Sequence, residues 1–147
     1  LRVSVESEDK LSISVSEKTT KIGLENLLFF TPIKGVVTNG FNRKNEHFGT
    51  DIVAKESEPV KCVYDGVIII SNWTSETGYV IGVQHKNSVF SLYKHNSKLF
   101  KKVGDRVKSG DAIAIIGNSG ELSSGPHLHF ELWHQGNPLD PEDYISF

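Results

Sequence analysis

Apolar and polar residues alternate at the start of the chain: Leu1, Val3 and Val5, then Leu11, Ile13 and Val15, separated by the turn-like Glu6-Ser7-Glu8-Asp9-Lys10. A period of two puts the apolar set on one face of a strand, which predicts a β-hairpin over residues 1 to 17. A lone hairpin is marginal in water, so this one is expected to dock on something as an extension or as the remnant of an upstream domain. From residue 22 to residue 30 the spacing of Ile22, Leu24, Leu27 and Leu28 permits one or two helical turns. At Thr31-Pro32-Ile33-Lys34-Gly35 the texture changes to short apolar runs punctuated by Gly, Asn and Pro, and it stays so to the end. Strands are predicted at 36–38, 51–54, 59–64, 66–73, 79–85, 88–93, 112–116 and 127–133. Such spacing without a long helical pattern predicts an all-β sandwich or barrel-like domain over 31–147, with 1–30 as an N-terminal hairpin extension. Pro59-Val60…Asp65-Gly66-Val67 loosely resembles Val103-Gly104…Gly110-Asp111-Ala112-Ile113, as two copies of a duplicated β-motif would.

Composition narrows the function classes. With 147 residues and a 37% hydrophobic fraction, the chain can bury one sizeable core. A formal net charge of -2 gives no basic field for nucleic acid or an anionic membrane. No apolar run reaches the length of a membrane span. A chain that begins at Leu1 and contains no Met is expected to be a processed or excised piece, with any targeting signal outside it. Cys62 is the single cysteine, which excludes an internal disulfide and a cysteine-based zinc site. Its apolar setting predicts a small buried hydrophobe.

The chemistry centres on Ser124-Gly125-Pro126-His127-Leu128-His129-Phe130-Glu131. Two histidines two apart on a strand share a face, while Leu128 and Phe130 point to the core. Side-by-side imidazoles on a rigid element suit a metal site or a pair of proton-transfer groups. Upstream, His47 and Asp51 are four apart in Glu46-His47-Phe48-Gly49-Thr50-Asp51-Ile52, and Gly49 lets the backbone pass closely by a ligand. His47, Asp51 and either His127 or His129 would give three ligands, leaving the open position of a catalytic zinc. The other histidine of the pair would then serve proton transfer or oxyanion stabilisation, and His95 could join from a neighbouring strand end. His85 and His134 lack such company and read as solvated or structural.

His47-Phe48-Gly49-Thr50-Asp51 together with Gly125-Pro126-His127-Leu128-His129-Phe130-Glu131 resembles the lysostaphin-type, or LytM-domain, zinc metallopeptidases. Tyr93-Lys94-His95, Gly117-Asn118-Ser119-Gly120 and Asn137-Pro138-Leu139-Asp140-Pro141 follow in the family's order, so the likeness covers about 31–147. The resemblance implies an antiparallel β-sheet core with a groove over the sheet. It implies one zinc ion on His47, Asp51 and His129, with His127 and His95 as the catalytic histidines. Lys94, Tyr93 and Asn118 fall where substrate contacts are expected. The implied activity is hydrolysis of peptide bonds in bacterial peptidoglycan by a zinc-activated water, outside the cytoplasm. Some LytM domains instead activate other wall hydrolases and typically lack ligands; here all five positions are filled, which favours the enzyme and leaves a regulatory protein partner open.

Three features depart from the family pattern. Glu121-Leu122 lengthens the loop before Ser123-Ser124-Gly125, and the short Arg43-Lys44-Asn45-Glu46 stretch is expected to leave the groove open on that side. Lys94 replaces a small residue beside His95, and its charge is expected to depress the pKa of that histidine. A likeness of 60–67 and 103–116 to biotinyl- and lipoyl-carrier domains fails on the turn Tyr64-Asp65-Gly66-Val67, which lacks the lysine a carrier modifies.

Overall fold

A computed structural model describes residues 23–24, 26–117 and 125–147. The hairpin expected at 1–17, the first residue of the helical stretch (Ile22), Asn118 and the lengthened loop at 121–124 lie outside the described residues. Gly23 and Leu24 are helical and Leu27 N–H closes a turn on the Leu24 carbonyl, but 27–30 carries no regular structure.

Ten strands follow among the described residues: β1 (Val36–Asn39), β2 (Thr50–Val53), β3 (Pro59–Lys61), β4 (Gly66–Thr74), β5 (Gly78–Gln84), β6 (Val89–Leu99), β7 (Arg106–Val107), β8 (Ala112–Ile116), β9 (His127–His134) and β10 (Asn137–Leu139). They form an open antiparallel sheet in the order β1-β2-β9-β6-β5-β4-β7, with β10 on β9 and β8 bridging β3 and β6. The duplicated motif is visible as reciprocity: β3 pairs β8 while β4 pairs β7. Backbone bonds from Cys62 N to Asp111 O and from Gly110 N to Cys62 O lock the two copies together.

Strand β9 shows why the register is firm. Leu128, Phe130 and Leu132 have no exposed surface and face the core, whereas His127, His129 and Trp133 stay partly exposed on the other face. A slip by one residue would exchange the two sets. Each large apolar side chain so exposed forfeits roughly 1.5–3 kcal/mol, and His129 would enter the core in its place. The β9–β10 hairpin turns at Gln135 and Gly136, both with positive φ (50° and 78°), the combination a tight two-residue hairpin needs. Leu24 and Leu27 belong to the same core as the sheet residues, and Cys62 is buried in it as a free thiol. Burial pushes the Cys62 thiol up to about 11, which leaves it inert at neutral pH.

His85 and His134 are both buried, so they are structural and not solvated. His85 ends a relay: Val63 N–H donates to Tyr93 Oη (3.1 Å), Tyr93 and Ser91 hydroxyls meet at 2.8 Å, Ser91 Oγ meets His85 Nε2 at 2.7 Å, and His85 Nδ1–H donates to the Asp65 carbonyl (2.9 Å). Tyr93, expected to touch substrate, is therefore corrected: its side chain is fully buried and its hydroxyl is consumed in this relay, on the core face of β6. Burial holds the His85 pKa below its usual 6.5 despite the opposing Asp65 and Tyr64 carbonyls. The unfolded chain thus takes up this proton first as pH falls, and folding loses stability below about pH 6.5. In urea unfolding, the stability advantage of the wild type over His85→Gln is expected to shrink from pH 7.5 to pH 5.5; a constant gap would refute this reading.

Candidate metal centre

Pairing brings the site residues together. Asp51 on β2 lies directly opposite His129 on β9, which in turn lies opposite Lys94 on β6. Residues 78 apart in sequence are thereby placed side by side on the outer face of three adjoining strands. His47 enters from the segment before β2, held by a bridge with Asn42.

The carboxylate of Asp51 stands between two imidazoles: Oδ1 is 2.7 Å from His129 Nδ1 and Oδ2 is 3.1 Å from His47 Nε2. One ligand atom each from His47, Asp51 and His129 lie within 4.8 Å of one another. Behind them, His47 Nδ1–H donates to the Gly40 carbonyl (2.7 Å) and His129 Nε2–H donates to Glu131 Oε2 (2.8 Å). Each ring thus offers its other nitrogen inward. Two imidazole nitrogens and a carboxylate oxygen form a donor set that Zn²⁺ accepts with a fourth position open. Burial pushes the Asp51 carboxyl up, but the hydrogen bond and charge of His129, with His47 and His127, outweigh it and hold it below the usual range. Burial pulls His129 down, and its bonds to Asp51 and Glu131 reverse that, leaving it raised.

Gly49 serves the site differently from the expectation that it clears a path for a ligand. A methyl group there would lie 2.6 Å from the Phe130 carbonyl oxygen and 2.8 Å from His129 Nε2 and Cε1. The missing side chain makes room for the His129 ring itself. Gly49→Ala is expected to tilt that ring and weaken metal binding; zinc titration matching the wild type would refute this.

His127 and His95 stand beside the three donors, with ring centroids 5.3 Å apart, and His95 lies 6.0 Å from His129. His95 is not at a strand end as expected, since β6 runs on to Leu99. Strict alternation would send it to the core after Lys94. A positive φ of 68° and the interrupted β5–β6 register turn it to the outer face instead. Such a conformation costs a non-glycine residue about 1–3 kcal/mol, so it must be braced. His95 N–H donates to the Thr77 carbonyl (2.8 Å), and Asn96 Nδ2 donates to the carbonyls of Tyr93 (2.9 Å) and Tyr79 (3.0 Å). Burial lowers the His95 pKa most; His127, His129 and Lys94 lower it further, against Asp51. Lys94 thus acts in the expected direction, though weakly.

Lys94 itself lays its ammonium on Glu131 (Nζ–Oε2 3.0 Å) instead of projecting freely into the groove, and keeps 26% of its side chain exposed. Phe41 meets Phe48 edge to face and Phe48 meets Trp133 at a tilt, with centroids 6.3 and 6.5 Å apart, forming an aromatic wall that starts at the residue after His47. The Arg43 guanidinium rests over Phe41 and donates to the Pro138 carbonyl (3.2 Å), so the short 43–46 stretch is tied to β10. Sequence reasoning assigned no role to Asn96 or Glu131. The alternation that pairs His127 with His129 also puts Glu131 on their face, whereas nothing in the sequence marks the bulge that Asn96 braces.

The family model of peptidase family M23 matches residues 45–141, the span that holds all these donors. The chain belongs to peptidase family M23. It is 36% identical over 94 residues to peptidoglycan DD-endopeptidase ShyA of Vibrio cholerae, covering 64% of this chain and 22% of that one. It is 29% identical over 137 residues to the murein hydrolase activator EnvC of Escherichia coli, covering 90% and 32%. Among solved structures, a zinc-containing peptidase from Vibrio cholerae superposes with a TM-score of 0.71 at 31% identity, over 78% of this chain and 39% of that chain. Lysostaphin from Staphylococcus simulans superposes at 0.63 with 30% identity, over 78% and 49%. This M23 chain spans less than a third of the length of the curated relatives named here.

Proposed function

We propose that this M23 domain is a zinc-dependent endopeptidase that hydrolyses peptide bonds in bacterial peptidoglycan, outside the cytoplasm. The observation that carries the reading is the convergence of His47 Nε2, the Asp51 carboxylate and His129 Nδ1, with a second imidazole pair beside them. Relatives named as a peptidoglycan endopeptidase and a zinc-containing peptidase support it.

In this reading His47, Asp51 and His129 hold the zinc ion. Bound there, it supplies Lewis acidity towards a carbonyl oxygen and lowers the pKa of water to near neutrality. The chain's own residues do the rest. One imidazole of the His127–His95 pair accepts a proton from the attacking water and returns it to the departing amine nitrogen. The other donates its N–H to the former carbonyl oxygen as negative charge grows on it. The C–N bond breaks with no covalent bond to the protein. The aromatic wall of Phe41, Phe48 and Trp133 offers an apolar flank to the substrate chain, and Lys94 and Asn118 remain further substrate contacts to test.

The test is mass spectrometry of products from sacculi of several cross-link types incubated with the zinc-loaded chain. New amino and carboxyl termini at one peptide bond, lost on chelation, are expected. Intact sacculi with zinc bound would overturn the endopeptidase and favour the activator role that the EnvC likeness raises.

A further inference from the structure

Building on the metal reading, we infer that Glu131 is a positioning residue: held by Trp133 and Lys94, it fixes His129 so that Nδ1 is the nitrogen offered to the metal. A neutral imidazole carries one N–H, and the acceptor behind the ring decides which nitrogen keeps it. An ionised carboxylate only accepts: Glu131 Oε2 lies 2.8 Å from Nε2 and Asp51 Oδ1 lies 2.7 Å from Nδ1, so Nδ1 gives up its proton when Asp51 serves a metal, while Glu131 keeps the proton on Nε2.

The carboxylate is more than a casual neighbour. Glu131 is only 6% exposed, and a carboxylate so placed stays ionised only if its oxygens are well donated to. Oε1 accepts from the indole Nε1–H of Trp133 at 2.9 Å. Oε2 accepts from His129 and from the Lys94 ammonium at 3.0 Å. One anchor lies on β9 and the other on β6, so the group cannot swing away from the ring. The two histidines of the cradle are set in opposite senses, His47 by a backbone carbonyl behind Nδ1 and His129 by a carboxylate behind Nε2. A carboxylate adds charge to the orientation and makes the ring a stronger donor.

The experiment measures zinc affinity by competition with a chromophoric chelator at fixed pH, together with thermal unfolding of the metal-free proteins. Glu131→Gln is expected to bind zinc roughly 10- to 100-fold more weakly while remaining folded. The double variant Glu131→Gln/Lys94→Met is expected to stay equally weak. Wild-type affinity in Glu131→Gln would overturn the inference, and so would recovery in the double variant, which would reduce Glu131 to a counter-charge for Lys94. Histidine ¹⁵N NMR of the zinc-loaded wild type needs no substitution: His129 should carry its proton on Nε2 and His47 on Nδ1. The opposite tautomer at His129 overturns the inference while leaving the metal reading intact. A wild type that takes up no zinc overturns both.

Discussion

Replacing His129 by alanine is expected to abolish zinc uptake and hydrolysis together. The ring is one of the three donors of the cradle, bound to Asp51 through one nitrogen and to Glu131 through the other. Its removal leaves two donors and strips Asp51 of the shorter of its two imidazole contacts. The affinity loss should exceed the roughly 100-fold that follows from losing an outer hydrogen-bond partner alone. The fold should survive, because β9 keeps Leu128, Phe130 and Leu132 in the core and its backbone ladders to β2 and β6 are untouched. Zinc content after dialysis, read beside the urea midpoint of the metal-free form, checks both halves. Retained zinc with lost activity would move His129 out of the ligand set.

His127→Ala should behave in the opposite way, keeping zinc and losing about 10²- to 10⁴-fold in turnover, the usual worth of a positioned proton-transfer group. His127 faces His95 and is not among the donors that converge with Asp51. The loss is expected in kcat, with KM little changed, because the ring acts on the reacting atoms and not on substrate docking. Loss of metal in His127→Ala with retention in His129→Ala would reverse the roles of the two histidines.

Much of this arrangement is legible in the sequence, because a strand has a period of two. The run from His127 to Trp133 separates core from outer face without a structure, and it places the histidine pair correctly on one side. The same rule covers Glu131, whose importance is hidden because the partners that define it, Lys94 and Trp133, acquire meaning only once β6 lies beside β9. His95 illustrates the other limit. Local pattern ends the strand near Tyr93, whereas β6 continues to Leu99 through a left-handed residue braced by Asn96 and the Thr77 carbonyl. That energy comes from tertiary partners, so propensity does not record it. Tyr93 was misplaced for a related reason: its neighbours face the groove, but alternation sends its own ring to the core and its hydroxyl to Val63 and Ser91. Strand β7 is two residues inside a polar connector and is created by pairing with β4.

The most direct test of the central claim is the zinc-edge anomalous signal from crystals of the zinc-loaded protein. The account predicts one strong peak bounded by His47 Nε2, the Asp51 carboxylate and His129 Nδ1. A peak between His127 and His95, or none at that cradle in protein shown to carry zinc, would contradict it.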